Sequence, residues 1–459
     1  MKVMHIKKPL LILLILCVTF FLLKLSTNSI RASDTNIYFY TGKLLLEGKI
    51  LYKDVFFTNF PLLPYVAALY YFLLQGNLSF YYLTASIEII FISIVMFFIV
   101  INQTKNVFLG ISVVALYLFS FIILATSDHQ TGVFLASLFA VISYFFFQKK
   151  QLFFTGFWMG LSLMTKAYFL PIVLAYIVFL LFKKISKLAV FLYGLLLSTL
   201  LTLIPSLIFA RDEFIRDVFI YSLTRSQGIP KKEIIWFFLT HDFPFVILLL
   251  FNILTIKKNL FFGLVSLFST LFFLIYKDTY YLYLNEVTPF LALSFSFFYL
   301  YLNKTLHLQK MFIPTILLFF IFYNLFSYLT KFADLQSLKS IDTIVSHIKQ
   351  ERPKTVYGVN SVTPALAYLS NTPLLNNIVD TNDNIFRKGF LNATQLTKDA
   401  ISQHSIIVTQ GAFYPEFSIR EDVLTEIVDK QLLEQHCSLI ASYPFKAEGF
   451  TNRINLFRC

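Results

Sequence analysis

Pro61-Leu62-Leu63-Pro64-Tyr65-Val66-Ala67-Ala68-Leu69-Tyr70-Tyr71-Phe72-Leu73-Leu74-Gln75 is the stretch on which the architecture turns. It is apolar but short: at 1.5 Å per residue, positions 61–75 reach only about 22 Å, against roughly 30 Å of bilayer hydrocarbon. Other apolar runs occupy residues 9–25, 80–101, 107–126, 131–147, 152–165, 167–182, 188–210, 234–256, 260–276, 282–302 and 311–330. Several are near the lower length limit, so charge has to decide. Suppose 61–75 lies along the outer surface and every other run crosses. Lys2, Lys7 and Lys8 then share one side with Lys105, Lys149–Lys150, Lys183–Lys184–Lys187, Lys257–Lys258, and Lys304 with Lys310. If 61–75 crossed as well, the N-terminal lysines would oppose all the others. Cytoplasmic loops carry the excess of lysine and arginine, which selects eleven spans with the N-terminus inside and the tail outside.

The composition agrees with a bilayer. The 459 residues are 57% hydrophobic and 14% charged, with a mean hydropathy of +0.72, where soluble chains carry about 25% charge. The net charge of +13 sits in short clusters between apolar runs, as membrane orientation requires, and does not form a nucleic-acid-binding patch. Lys24 and the lack of an Ala-x-Ala site after the first run argue for a retained span over a cleaved signal peptide. Cys17, Cys437 and Cys459 have no metal-ligand spacing, and Cys437 could pair with Cys459 only if the tail is extracytoplasmic.

Residues 1–330 therefore read as a polytopic all-α membrane domain with an outer loop over 26–79. Residues 331–459 read as a small extracytoplasmic α/β domain. Its pattern predicts a helix over Leu335–Gln350, strands over Thr355–Asn360 and Ser405–Gln410, a helix near Glu421–Glu434, and strands over Ser438–Phe445 and Arg453–Arg458. This topology puts Asp34, Asp54, Asp128, Lys166, the loop 211–233 and the Lys277–Tyr281 turn on the outer side, where they could converge on one cavity.

Asp34 heads a segment with Tyr38, Tyr40 and Leu44–Leu46, the pattern of an amphipathic interfacial helix. There a carboxylate could deprotonate a hydroxyl acceptor, or it could simply cap the helix. Glu88 falls mid-span and His241-Asp242 interrupts a run. Ionisable groups in such places are either functional or hydrogen-bonded between helices.

The order Asp34…Tyr38…Leu44-Leu45-Leu46-Glu47-Gly48…Tyr52-Lys53-Asp54…Pro61-Leu62 resembles the first outer loop of C-type membrane glycosyltransferases. These include the dolichyl-phosphate-mannose–protein mannosyltransferases and bacterial relatives that use polyprenyl-phosphate sugars. Thr126-Ser127-Asp128, Gly156-x3-Gly160-Leu161-x3-Thr165-Lys166, Lys277-x2-Tyr280-Tyr281…Pro289 and Val356-Tyr357-Gly358…Tyr368-Leu369 resemble later segments. Relatives with an acidic residue before a Pro-Pro pair differ from this chain, which has Thr58-Asn59-Phe60-Pro61, so their acceptor class does not transfer.

The resemblance implies the C-type glycosyltransferase fold and inverting sugar transfer from a polyprenyl-phosphate donor to an extracytoplasmic glycan, lipid or protein. It implies Asp34 as general base and Lys166, Lys277 and Arg225 as candidates to bind the departing phosphate. Asp54 and Asp128 could orient the acceptor or help hold a metal; two aspartates without a His or a close third carboxylate make a weak metal site, so hydrogen bonding is expected of them, with Asn59 and Tyr280 as further binding candidates. Neither a metal nor a cofactor is expected. The rival reading is a transporter or lipid-linked-sugar flippase, which commonly carries internal repeats; the sequence shows none.

Overall fold

The computed structural model describes residues 4–225, 228–306, 312–335, 337–413, 426–447 and 450–459. Lys2, Lys310 and the start of the helix expected near Glu421–Glu434 lie outside the described residues. The chain is mostly helical with one small sheet, and it divides into two compact units. The first comprises Met1–Thr27, Leu83–Ile204 and Ser226–Ala333; the second comprises Asn28–Tyr82, Pro205–Arg225 and Asp334–Cys459.

Four helices are long and apolar enough to cross a membrane: Lys8–Ser26, Leu78–Thr104, Ile185–Phe209 and Thr315–Phe332. A fifth candidate is broken. Lys231–His241 and Phe243–Leu254 meet at 106°, because Pro244 lacks an N–H and its ring clashes with the carbonyl a turn earlier. Further apolar helices are shorter, among them Val133–Gln148, Leu152–Thr165 and Leu260–Ile275. The run 107–126 is not one helix: it divides into Val107–Leu118 and Phe121–Thr126.

The first unit is held by rings and close helix approaches. Tyr144, Phe147 and Tyr176 surround Phe261 at centroid distances of 4.9, 5.4 and 4.8 Å. The Gly156-x3-Gly160 pair lets Leu152–Thr165 pack directly on Leu188–Phe209. A Cβ at Gly156 would lie 1.9 Å from the Phe191 carbonyl, and one at Gly194 would lie 2.1 Å from that of Phe153. Without a hydrophobic drive between helices in lipid, such small-residue contacts supply the packing.

In the second unit the helix Thr35–Leu46 is buried over most of its length, from Thr35 through Gly42 and again at Leu44, so the amphipathic interfacial helix expected there is corrected. It packs on the helix Leu62–Leu73 so closely that a Cβ on Gly42 would meet Ala67 backbone at 2.7 Å. Its far end closes with two hydrogen bonds, Gly48 N–H to Leu45 O (3.1 Å) and Lys49 N–H to Leu44 O (3.0 Å), with Gly48 at φ +86°. That is the paired C-terminal cap that favours glycine.

The tail contributes a four-stranded sheet of order β1-β2-β4-β3, with β1 Val356–Gly358, β2 Ile406–Phe413, β3 Ser438–Ala447 and β4 Phe450–Arg458. β1 runs parallel to β2 and the other pairs are antiparallel. The expected helix and strands appear, with helix Ile341–Glu351 starting later than the pattern suggested and β1 ending early. Its last residue, Gly358, at φ +149°, has room only for a hydrogen: a Cβ would lie 1.9 Å from Val408 O. Cys437 and Cys459 are disulfide-bonded. The outer loop groups with this tail. Leu338 N–H bonds to Ile30 O (2.9 Å), Tyr368 Oη to Gly76 O (2.6 Å), and the Phe39 and Tyr368 rings meet at 4.8 Å.

Candidate functional site

Asp34, Asp54, Asn59 and Arg225 belong to the second unit, and Asp128, Lys166, Lys277 and Tyr280 to the first.

Asp34 stands at the N-cap position of Thr35–Leu46 with φ −60° and ψ −16°, and its side chain makes no capping bond. Ser33 does that work, its Oγ accepting from Thr35 N–H at 3.1 Å. The backbone on either side of Asp34 is fixed. Ser33 N–H donates to Ser361 O (2.9 Å), and Asn36 Nδ2 donates to Ser361 O (2.6 Å) and Arg31 O (2.9 Å). The Tyr82 hydroxyl lies 2.9 Å from both Arg31 O and Asn36 Oδ1. Asp34 is exposed while Arg31–Ser33 and Thr35–Thr41 are buried, so a rigid seat presents one carboxylate to solvent.

Ser361 follows β1, so the seat of Asp34 is at the carboxyl edge of the parallel β1–β2 pair. Ligands of α/β sheets collect at that edge. The neighbouring Asn360 donates Nδ2 to Asp380 Oδ1 (3.0 Å); Asn382 N–H donates to the same oxygen (3.1 Å), and Thr58 Oγ1 to Asp380 Oδ2 (3.4 Å). Burial raises the Asp380 pKa above the usual carboxylate value, and these bonds together with the Arg225 charge pull it back only in part. Ser361 Oγ also meets Gln410 Oε1 at 3.3 Å. The structure thus brings Arg225 near a carboxylate that sequence reasoning missed. Asn360, Asp380 and Gln410 gave no signal beyond turn-forming and strand residues, since only the β1–β2 crossover gathers them.

Asp54 and Asn59 have local duties. Asp54 Oδ2 accepts from Ile50 N–H (2.8 Å), while Asn59 O accepts the hydroxyl of Tyr52 (2.7 Å). Tyr52 is buried at φ +70°. The Gly48…Tyr52…Asp54 spacing therefore encodes a helix stop and a tight loop.

In the first unit Asp128 is buried and fully engaged. Its Oδ1 lies 3.1 Å from Lys24 Nζ and its Oδ2 accepts the Tyr328 hydroxyl at 2.8 Å. Lys24 also donates to Leu124 O and lies 3.9 Å from the centre of the Tyr328 ring. Asp242, at the 106° break, caps the helix Phe121–Thr126 by accepting from Phe121 and Ile122 N–H at 2.8 and 2.7 Å. Glu88 accepts from Gln130 Nε2 at 2.7 Å. Glu88 and Asp242 thus accept hydrogen bonds from residues distant in the chain.

Lys166 and Lys277 come from distant helices but flank one tyrosine strip. Lys166 is buried at the end of Leu152–Thr165, and Tyr168 just after it stacks on Tyr283 at 3.9 Å. Tyr168 also meets Tyr276 at 6.1 Å, and Tyr280 meets Tyr283 at 5.5 Å. Lys277 is exposed. Its carbonyl accepts Gly228 N–H (3.2 Å) and Thr279 O accepts Ile229 N–H (2.9 Å), so a second strand of chain fixes this turn. Among the described residues no group of three or more His, Cys, Asp or Glu side chains could hold a metal ion.

No protein-family model matches the chain, and no curated protein matches it. What can be stated of class is coarse: a mostly helical protein with several apolar helices, four of them long and apolar enough to cross a membrane, and a small mixed sheet.

Proposed function

We propose that the chain is a C-type membrane glycosyltransferase with eleven crossings, moving a sugar from a polyprenyl-phosphate donor to an extracytoplasmic acceptor. The observation that carries this reading is the exposed Asp34 carboxylate on an otherwise buried, hydrogen-bonded seat at the edge of β1. A general base needs both a fixed position and access to its proton donor. In the reaction, Asp34 takes the proton of the acceptor hydroxyl as its oxygen bonds to the anomeric carbon. The bond from that carbon to the phosphate oxygen breaks, configuration inverts, and polyprenyl phosphate departs with the electron pair. Charge develops on the leaving phosphate and calls for a fixed cation there, for which the sequence offers Lys166, Lys277 and Arg225 as candidates. Asn360, Asp380 and Arg225 supply the mixture of amide, carboxylate and guanidinium groups suited to sugar hydroxyls. The Cys437–Cys459 disulfide supports an oxidising, extracytoplasmic compartment for the tail.

The test is transfer of radiolabel from a polyprenyl-phosphate sugar by the purified, reconstituted protein. Asp34→Asn is expected to lower turnover by at least a hundredfold while leaving donor binding and folding unchanged, within the range usual for a lost general base. Wild-type turnover by that variant refutes the assignment. Intact donor crossing a vesicle bilayer without transfer would identify a flippase instead.

A further inference from the structure

Between the two arms of the broken helix and the helices Leu260–Ile275 and Thr288–Leu306 lies an open groove of about 190 Å³. Ile234, Phe238, Leu249, Phe273, Leu284 and Leu291 line it, and its surface is almost wholly apolar. One end is marked by cations. Leu274 borders the groove, and its carbonyl accepts a hydrogen bond from Lys231 Nζ, which pins that ammonium beside the opening. Lys232 follows on the same helix N-terminus, and Lys277 is exposed three residues beyond Leu274. Glu233 and the buried Asp278 offset part of this charge, leaving a net excess of one cation at the mouth.

We infer that this groove seats the hydrocarbon chain of a polyprenyl phosphate, with the phosphate held by Lys277, Lys231 and Lys232. The inference rests on the glycosyltransferase reading for the identity of the lipid; the apolar trough and its cationic end come from the structure. An apolar trough matches a hydrocarbon chain, and an ammonium cluster at one end only matches a lipid whose single charged group is terminal. The helix N-terminus at Lys231 adds its own positive end to the same place. The kink at Asp242 is what opens the trough, since a straight helix would not leave its two arms diverging around Phe238 and Leu249.

A second apolar groove, between Leu10–Phe21 and Ile90–Phe98, is lined by Leu14, Cys17 and Val18 among others, and no charged side chain lines it. It serves as the internal control. The full-length protein in nanodiscs of neutral phospholipid is labelled with a polyprenyl monophosphate carrying a photoreactive group on its chain, and the adducts are mapped by mass spectrometry. Adducts on Phe238, Leu249 or Leu291 are expected. Leu249→Trp or Leu291→Trp should reduce labelling at least tenfold, Val18→Trp should leave it unchanged, and Lys277→Ala with Lys232→Ala should weaken binding at least tenfold. Adducts confined to other helices overturn the proposal without requiring any variant to fold. Equal labelling by the uncharged polyprenol, or equal competition by phosphatidylglycerol, overturns the phosphate assignment. Binding in the groove with no sugar transfer under any condition would sink the glycosyltransferase reading alone, whereas transfer with labelling elsewhere would sink only the groove.

Discussion

Replacing Lys24 by methionine keeps the length of the side chain and removes a cation bonded directly to Asp128. The pair is almost wholly shielded from water, with Lys24 and Asp128 at 0% and 7% exposure and 3.1 Å between Nζ and Oδ1. At an effective dielectric constant of 20, unit charges at that separation attract by about 5 kcal/mol. The Tyr328 hydroxyl, 2.8 Å from Oδ2, survives the change and still serves the carboxylate. Breaking a buried pair from one side costs about 3–5 kcal/mol, because it strands the other charge. The expected loss is therefore about 3–4 kcal/mol, the remaining hydroxyl accounting for the lower half of that range. Asp128→Leu alone strands the ammonium and should cost a similar amount. The double variant strands nothing and should lie within about 1 kcal/mol of the wild type, since apolar replacement of a buried pair is often close to neutral. The assay is the free energy of unfolding in detergent micelles for the four proteins of the cycle. If the double variant loses the sum of the two singles, or either single costs under about 1 kcal/mol, the pair does not hold these helices together. A stable double variant that has lost transfer would return Asp128 to the acceptor site.

Three further perturbations follow from the same contacts. Gly156→Val should separate the helices Leu152–Thr165 and Leu188–Phe209, because even its Cβ would lie 1.9 Å from Phe191 O; a loss of about 3 kcal/mol or a failure to insert is expected, read by unfolding in micelles. Cys437→Ser with Cys459→Ser opens a loop of sequence separation 22 and should cost the tail about 3 kcal/mol by loop-closure entropy; protease resistance of the tail with and without reductant measures it. For Asp380 the folded-state pKa is raised by burial, so its contribution to stability is present below the unfolded value and is lost as pH rises through the folded one. Asp380→Asn should accordingly gain stability relative to wild type as pH rises above the ordinary carboxylate value of about 4, and a pH-independent difference would contradict the burial argument.

The apolar periodicity, the lysine clusters and the helix–strand alternation of the tail were legible in the chain because they depend on residue type and spacing alone. The short run 61–75 forms the helix Leu62–Leu73 packed on Thr35–Leu46. The motifs were legible as motifs but not as roles. Gly48, Tyr52 and Asp54 form a helix stop and loop, Gly156 and Gly160 are a packing contact, and Asp128 is matched with Lys24. A carboxylate's use depends on which donors come within about 3 Å of it, and those donors are up to hundreds of residues away in the chain: Tyr328 for Asp128, Asn360 for the segment that Asp380 completes, Phe121 for Asp242. Only the folded chain could exempt Asp34 from capping and leave it exposed on a buried seat. Hydropathy and charge decide which segments leave water, since that is a sum over residues. Which polar group stays available for chemistry is decided by geometry between residues, which no local pattern encodes.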